Sequence, residues 1–456
     1  MFTIKEILKS TGGKLIKGKI NRRISGVSID SRTIKENEIF MAIKGRRFDG
    51  HSFIEQAISS GAGAILFSNL RYEKSALNPR APNSISMVRV GDTVCALGAL
   101  AHYHRRKFKI PVIAITGSNG KTTTKEMLNS IFGRRFNVLC NPETQNNHIG
   151  VPLSILKLRQ RHNFAVIEIG ANHPGEIDKL SWVVKPTVGI ITNIGPAHLE
   201  FFRSLKGVFK AKLELIKNLV KGGKLILNKD DHFLSRLNGA NFQTITFGLS
   251  RCSDFYGQII KQTQKNTSFL LNERHHLVLN TLGRHNVYNA LASIACARAF
   301  SISYDEIKDA LRSFKAPSMR MQMLNINNIK IINDCYNSNP GSLVWALQFL
   351  REYTSRGKKI IVCGDMLELG RGAEKLHSNM GKRIAKGEID FLITVGPLSR
   401  NIAQGAHLAG MPRNSIRRYK NTAEAAKFLR GLIETGDVVL IKGSRAMQME
   451  NVVKCF

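Results

Sequence analysis

At 456 residues, 43% of them hydrophobic and 22% charged, the chain has room for about three domains, each with a core of its own. Its seven cysteines are odd in number and never in C-x-x-C spacing, which argues against a disulfide framework and a structural zinc site. The opening MFTIKEILKSTGGKLIKG lacks the apolar segment of a signal peptide and no run reaches the length of a membrane span, so a cytoplasmic protein without membrane insertion is expected. The formal net charge of +35 is spread as +11, +14 and +10 over residues 1–108, 109–316 and 317–456. That is a general bias favouring anionic substrates, not the footprint of a specific nucleic-acid groove.

Residues 1–108 read as a small α/β domain, with short strands at 24–29, 39–43 and 64–67 and an amphipathic helix at 53–60. Between them DSRTIKENEIFMAIKGRRFDGHSF is dense in Gly, Asp, Arg and His, the composition of a ligand-holding loop. A helix at 95–106 leads to Pro111, and a boundary falls at about 108. Strands at 112–116, 164–169, 188–192 and 224–227 then alternate with helical segments, the pattern of a parallel sheet whose ligands gather beyond the carboxyl ends of its strands. Residues 240–280 look less regular, an apolar helix is expected at 290–299, and Pro317 to Arg320 reads as a linker. Strands at 329–332, 359–363, 391–395 and 438–442 make a second, open doubly wound unit. Its first strand runs into NDCYNSNP instead of a glycine dinucleotide fingerprint.

The chemistry centres on VIAITGSNGKTTTKEM, a β-branched strand, a glycine turn and a helix start. Gly117, Ser118, Asn119 and Gly120 can turn successive backbone N–H groups into one concavity at a helix N-terminus. Lys121 would reach the β and γ phosphates of ATP, and the Thr122 hydroxyl would sit on Mg²⁺. The spacing is G-x-x-G-K-T, with Ile at position 115, so the turn is shorter than in ordinary P-loop ATPases. Glu168 ends the strand FAVIEIG and His198 follows GIITNIG in the loop GPAHLE, where both could complete a Mg²⁺ shell with Thr122 and phosphate oxygens. Lys212 lies in GVFKAKLELIK among Lys206, Lys210 and Lys217, and spacing cannot choose among them.

TGSNGKTTTKEM, NPETQNNHIGVPLSIL, VIEIGANHPGEI, TNIGPAHLEFFRSLKGVFKAK, GRHNVYNALASIA, DCYNSNPGS, GDMLELG and KGSRAMQMENVV, in that order, resemble the Mur ligase family. ANHPGEI, GDMLELG and KGSRAM are most similar to its branch that adds D-alanyl-D-alanine to UDP-N-acetylmuramoyl-tripeptide. The resemblance implies three α/β domains: a small UDP-binding domain (1–108), a central P-loop ATPase domain with a parallel sheet (109–316) and a Rossmann-like doubly wound domain (317–456). It implies small-molecule substrates, ATP and two Mg²⁺ ions, and a monomer is expected because nothing in the sequence suggests an obligate interface. Ser31, Arg32, Lys44, Asp49, Gly50 and His51 would then serve the uridine diphosphate, and Asn146 and Asn147 the muramyl part. Thr123, Asn286 and Asn289 match nucleotide contacts beside the P-loop, Arg320 a phosphate-directed arginine and Asp334 a ribose contact. Glu168 and His198 match metal positions, and Lys212 matches a lysine that in several members is carbamylated to hold a second ion. Cys335 and Ser338 depart from the family's DSYNANP, which has Ser and Ala there. The alternatives are a sister ligase adding a diamino acid, a folylpolyglutamate synthase, and a P-loop NTPase stimulated by nucleic acid.

Overall fold

The computed structural model describes residues 1–45, 47–72, 85–143, 145–237 and 242–456. Among these, three large sheets and one two-stranded pair carry the chain. The first has five strands in the order Lys14–Lys17, Ser86–Arg89, Ala64–Phe67, Ile39–Met41, Val27–Ser28, parallel except for the first. The expected strand at 24–29 is divided: Arg23–Ile24 pairs antiparallel with Phe2–Thr3, and only Val27–Ser28 joins the larger sheet. The helix at Ile4–Thr11 is not among the expected elements, although Ile4, Ile7 and Leu8 stand at helical spacing and Thr3 and Glu6 close a capping box on its first turn.

The central sheet has nine strands, and Val112–Thr116 lies between Phe164–Glu168 and Val188–Ile191. The chain leaves this strand toward one edge, returns, and crosses to the other side, so a topological switch point flanks it. Ligands collect at such points. The register sets Ile115 opposite both Glu168 and Ile190, which brings the P-loop, Glu168 and the loop after Ile191 to one rim.

The stretch 240–280 is more regular than its sequence suggests. Outside residues 238–241, which are not among those described, it forms Gln243–Gly248, Phe255–Gln262, Thr267–Leu271 and His275–Leu279. Only one face of this extension is covered: Thr267, Phe269 and Leu271 are buried while Ser268 and Leu270 are half-exposed, and a register shift between Ile259 and Lys261 breaks the alternation. Half-polar, bulged strands give a weak apolar signal.

The third sheet has six strands, with Ile329–Asp334, Val438–Lys442, Lys359–Gly364, Phe391–Val395 and Ile416–Tyr419 parallel and Gln322–Ile326 antiparallel at the edge. Separate apolar clusters cover its two faces, as a doubly wound sheet requires.

The helix Thr93–Arg105 joins the first sheet to the second. Leu97 and Leu100 share one apolar core with Phe2, Ile4 and Ile7 on one side and Leu180 and Val184 on the other. Buried Arg105 donates to the carbonyls of Val184, Phe108 and Ile110, so its charge is spread over backbone dipoles.

Candidate active site

The glycine turn is tight because its neighbours leave no room for a side chain. Gly117 has φ 145°, and a Cβ there would stand 1.9 Å from Thr192 Oγ1. Gly120 has φ 84°, and a Cβ there would stand 2.2 Å from Asn289 Oδ1. Ser118 and Asn119 are pinned to the loop after the next strand: Ser118 N donates to Asn193 O, Ser118 Oγ to Gly195 O, and Asn119 N to Asn193 Oδ1, each at 3.0 Å. The helix Lys121–Phe132 starts at Gly120 with no side-chain cap, leaving its first N–H groups turned to the cleft.

Lys121 Nζ donates to Gly117 O at 2.9 Å. Burial pushes its ammonium below the usual lysine range; nearby Glu168 opposes the shift and Arg320 adds to it. Thr122 Oγ1 donates to Glu168 Oε2 at 2.7 Å and accepts from Arg320 Nη2 at 2.9 Å. One hydroxyl thus joins the P-loop, the neighbouring strand end and the C-terminal part of the chain. Arg320 lies 3.8 Å from the centroid of the Tyr336 ring, a stacking contact that fixes its plane.

Glu168 is only 2% exposed and is held on every side. Its Oε1 accepts from Asn146 Nδ2 at 2.8 Å, and Asn141 clamps its main chain by accepting from Glu168 N at 2.8 Å and donating to Glu168 O at 3.1 Å. Asn141 is in turn fixed by Lys125, fully buried, whose Nζ donates to Asn141 O at 2.7 Å and pairs with Glu126 at 3.0 Å. Lys125 and Asn141 lie inside TTTKEM and NPETQNN, where no motif assigns either of them a part. A lysine at a helical apolar position is the one signal that could have singled out Lys125.

His198 has left-handed backbone, φ 53°, and its Nδ1 meets Glu368 Oε2. Lys212 is 2% exposed, with its amine 5.6 Å from the centroid of Phe202. Burial first, and then the charge of Lys121, push its pKa down to about 7, while Glu214 and Glu176 oppose the shift. Lys206, Lys210 and Lys217, which spacing could not separate from it, lie at more exposed positions of the same helix.

A cleft of about 1860 Å³ joins these groups, lined by Lys44 from the loop after Ile39–Met41, the P-loop, Glu168 at a strand end and His198 from the loop after Val188–Ile191, and Arg320 and Asp334 from the segments around the first strands of the third sheet. Thr123, Asn286 and Asn289 also line it. Asn289 Nδ2 donates to Asn286 Oδ1 at 3.0 Å, and Asn286 Nδ2 to Leu282 O at 2.7 Å. Asp334 receives Lys442 Nζ at 2.5 Å and Met321 N at 3.1 Å. His285, whose pKa burial lowers to about 4, and Trp345 add ring surfaces, their centroids 6.4 Å apart. Cys335, where the family has Ser, is buried with Sγ directed at Ile441 O.

Asn146 and Asn147 line the same cleft as Lys44. Ser31, Arg32, Asp49, Gly50 and His51 do not line it. Asp49 Oδ1 accepts from His51 N at 3.0 Å and meets His51 Nδ1 at 2.6 Å, and His51 Nε2 receives Ser68 N at 3.0 Å. Ser31 Oγ donates to Gln56, and Arg32 pairs with Asp30.

A short glycine cradle, a threonine–carboxylate pair and an arginine brought in by the segment ahead of the third sheet mark a nucleotide-dependent enzyme. Comparison with known proteins supplies the family. The model of the Mur ligase middle domain matches residues 115–297, that of the Mur ligase glutamate ligase domain residues 319–445, and that of the Mur ligase family catalytic domain residues 23–105. The UDP-N-acetylmuramoyl-tripeptide--D-alanyl-D-alanine ligase of Bacillus subtilis is 36% identical, over 99% of this chain and 97% of that protein. The crystal structure of MurF from Acinetobacter baumannii superposes with a TM-score of 0.89 at 33% identity, covering 99% of this chain and 98% of that one. MurF ligase from Thermotoga maritima in complex with ADP gives 0.83 at 28% identity, over 94% and 96%. The chain belongs to the Mur ligase family.

Proposed function

We propose that this protein joins D-alanyl-D-alanine to the terminal carboxylate of UDP-N-acetylmuramoyl-tripeptide, with conversion of ATP to ADP and phosphate. The observation that carries the reading is the junction of Thr122, Glu168 and Arg320 at the P-loop, in a chain alike over its whole length to ligases of that name.

A free carboxylate is a poor electrophile. Transfer of the γ-phosphoryl group to it forms an acyl phosphate with an O–P bond and releases ADP. The amine of D-alanyl-D-alanine then attacks the acyl carbon, a tetrahedral intermediate collapses, phosphate leaves and the amine gives up a proton. No side-chain nucleophile enters. Lys121 and Arg320, both lining the cleft at the P-loop, offset charge on the transferring phosphoryl group in this reading. Asn286, Asn289, Thr123 and Asp334 orient the nucleotide. Asn146 and Asn147 border the muramyl part, with Ser31, Arg32, Lys44, Asp49, Gly50 and His51 assigned to the uridine diphosphate end.

Thr122 and Glu168 suit Mg²⁺, which takes one or two carboxylates together with phosphate and water oxygens. Among the described residues no group of three or more His, Cys, Asp or Glu side chains forms a protein-only metal site, so the remaining ligands would come from substrate. His198 lies on the same cleft. The ion would screen phosphate charge. Lys212, with its pKa near 7, is a partly neutral amine able to add CO₂ as a carbamate with loss of a proton, and that carboxylate would serve a second ion. Among the described residues no helix is long and apolar enough to cross a membrane. We place the enzyme in the cytoplasm as a monomer.

The test is isotopic. With ¹⁸O in the terminal carboxylate of the tripeptide, released phosphate carries one ¹⁸O and the product has the mass of the UDP-pentapeptide. Phosphate free of label would refute the acyl-phosphate route.

A further inference from the structure

Two residues with left-handed backbone meet across the boundary between the second and third sheets. His198, φ 53°, follows the strand Val188–Ile191, and Glu368, φ 60°, follows Lys359–Gly364. The Glu368 carboxylate meets His198 Nδ1, and the Glu368 carbonyl accepts from Glu200 N at 3.1 Å. Two residues on, Gly370 has φ 64°, and a Cβ there would stand 2.9 Å from Glu200 Cα. Main chain and side chain of one short segment therefore dock together on 198–200.

A carboxylate accepts and does not donate, so a hydrogen sits on Nδ1, and in the neutral ring the nitrogen left with the lone pair is Nε2. His198 lines the cleft. A second imidazole, His173, is near enough to act on Glu368 electrostatically, but its own Nδ1 faces Glu176 at 3.2 Å and its ring packs on Phe201. Glu368 therefore serves His198.

We infer that Glu368 is a positioning residue: docking of the C-terminal unit delivers its carboxylate to His198 and so fixes the ring and its tautomer for work in the cleft. The inference rests on the ligase reading of His198, and the test keeps the two apart. A carboxylate behind a functional histidine commonly contributes ten- to hundredfold to activity or metal affinity.

The full chain labelled with [¹⁵N]histidine is saturated with Mg²⁺ and adenosine 5′-(β,γ-imido)triphosphate, and the His198 signals are assigned by their loss in His198→Gln. In the wild type the ¹⁵N shifts report hydrogen on Nδ1 and a bare Nε2. Glu368→Ala moves His198 toward the Nε2–H tautomer, whereas Glu368→Gln, whose amide oxygen still accepts, keeps the wild-type pattern. In turnover, Glu368→Ala loses about ten- to hundredfold in kcat with KM for the UDP-tripeptide within about twofold. The double variant His198→Ala/Glu368→Ala is no slower than His198→Ala alone, because the two act through one ring. An unmoved tautomer in Glu368→Ala overturns the inference. A moved tautomer in a protein whose His198→Ala variant turns over normally supports the positioning contact and refutes the role of His198 in the ligase.

Discussion

Replacing Lys212 by methionine separates what the fold prefers from what the chemistry needs. The side chain is buried, and its pKa falls from 10.5 to about 7. At about 1.4 kcal/mol per pKa unit, keeping the ammonium in the native state below pH 7 costs on the order of 5 kcal/mol. The folded pKa lies below the unfolded one, so between about 7 and 10.5 the unfolded chain binds the extra proton and native stability rises with pH. Methionine fills similar volume and carries no charge. In CO₂-free buffer Lys212→Met should therefore resist urea better than the wild type near neutrality, with the advantage shrinking as pH rises toward 10. Ligase activity should be lost across the range, and added bicarbonate should raise wild-type activity alone. Denaturation midpoints read by tryptophan fluorescence at several pH values provide the assay. A pH-independent difference, or a methionine variant less stable at neutral pH, would refute the burial argument.

Gly120→Ala places a Cβ against Asn289 Oδ1 in a left-handed conformation, which alone costs about 1–2 kcal/mol. ADP affinity measured by calorimetry should fall by at least about tenfold, with the thermal midpoint lowered by a few degrees. Arg320→Lys loses the planar stack on Tyr336 and the directed bond to Thr122. Steady-state kinetics should show kcat reduced about a hundredfold with KM for the UDP-tripeptide nearly unchanged; a change confined to KM would place Arg320 in substrate binding instead.

The P-loop strand and turn were legible because β-branched residues followed by two glycines and a lysine leave few other foldings, and Val112–Thr116 forms as expected. Phe391–Val395 and Val438–Lys442 were equally plain, being apolar runs buried on both faces. The ladder at 243–279 was not, since its strands are half-exposed and bulged. At the site, Thr122, Glu168 and Arg320 were named from motifs, but their convergence on one hydroxyl depends on strand register and domain docking, which no local pattern encodes. Glu368 and Lys442 stayed hidden for the same reason: each meets its partner, His198 and Asp334, across more than a hundred residues of chain. Lys212 was indistinguishable from its neighbours until burial singled it out.

The central claim is tested most directly by phosphate release from ATP and Mg²⁺ with UDP-N-acetylmuramoyl-tripeptide, with and without D-alanyl-D-alanine, beside a single-stranded nucleic-acid control. The account predicts sustained release only when both peptide substrates are present, matched mole for mole by UDP-pentapeptide. Release that is indifferent to D-alanyl-D-alanine and rises with nucleic acid would contradict it.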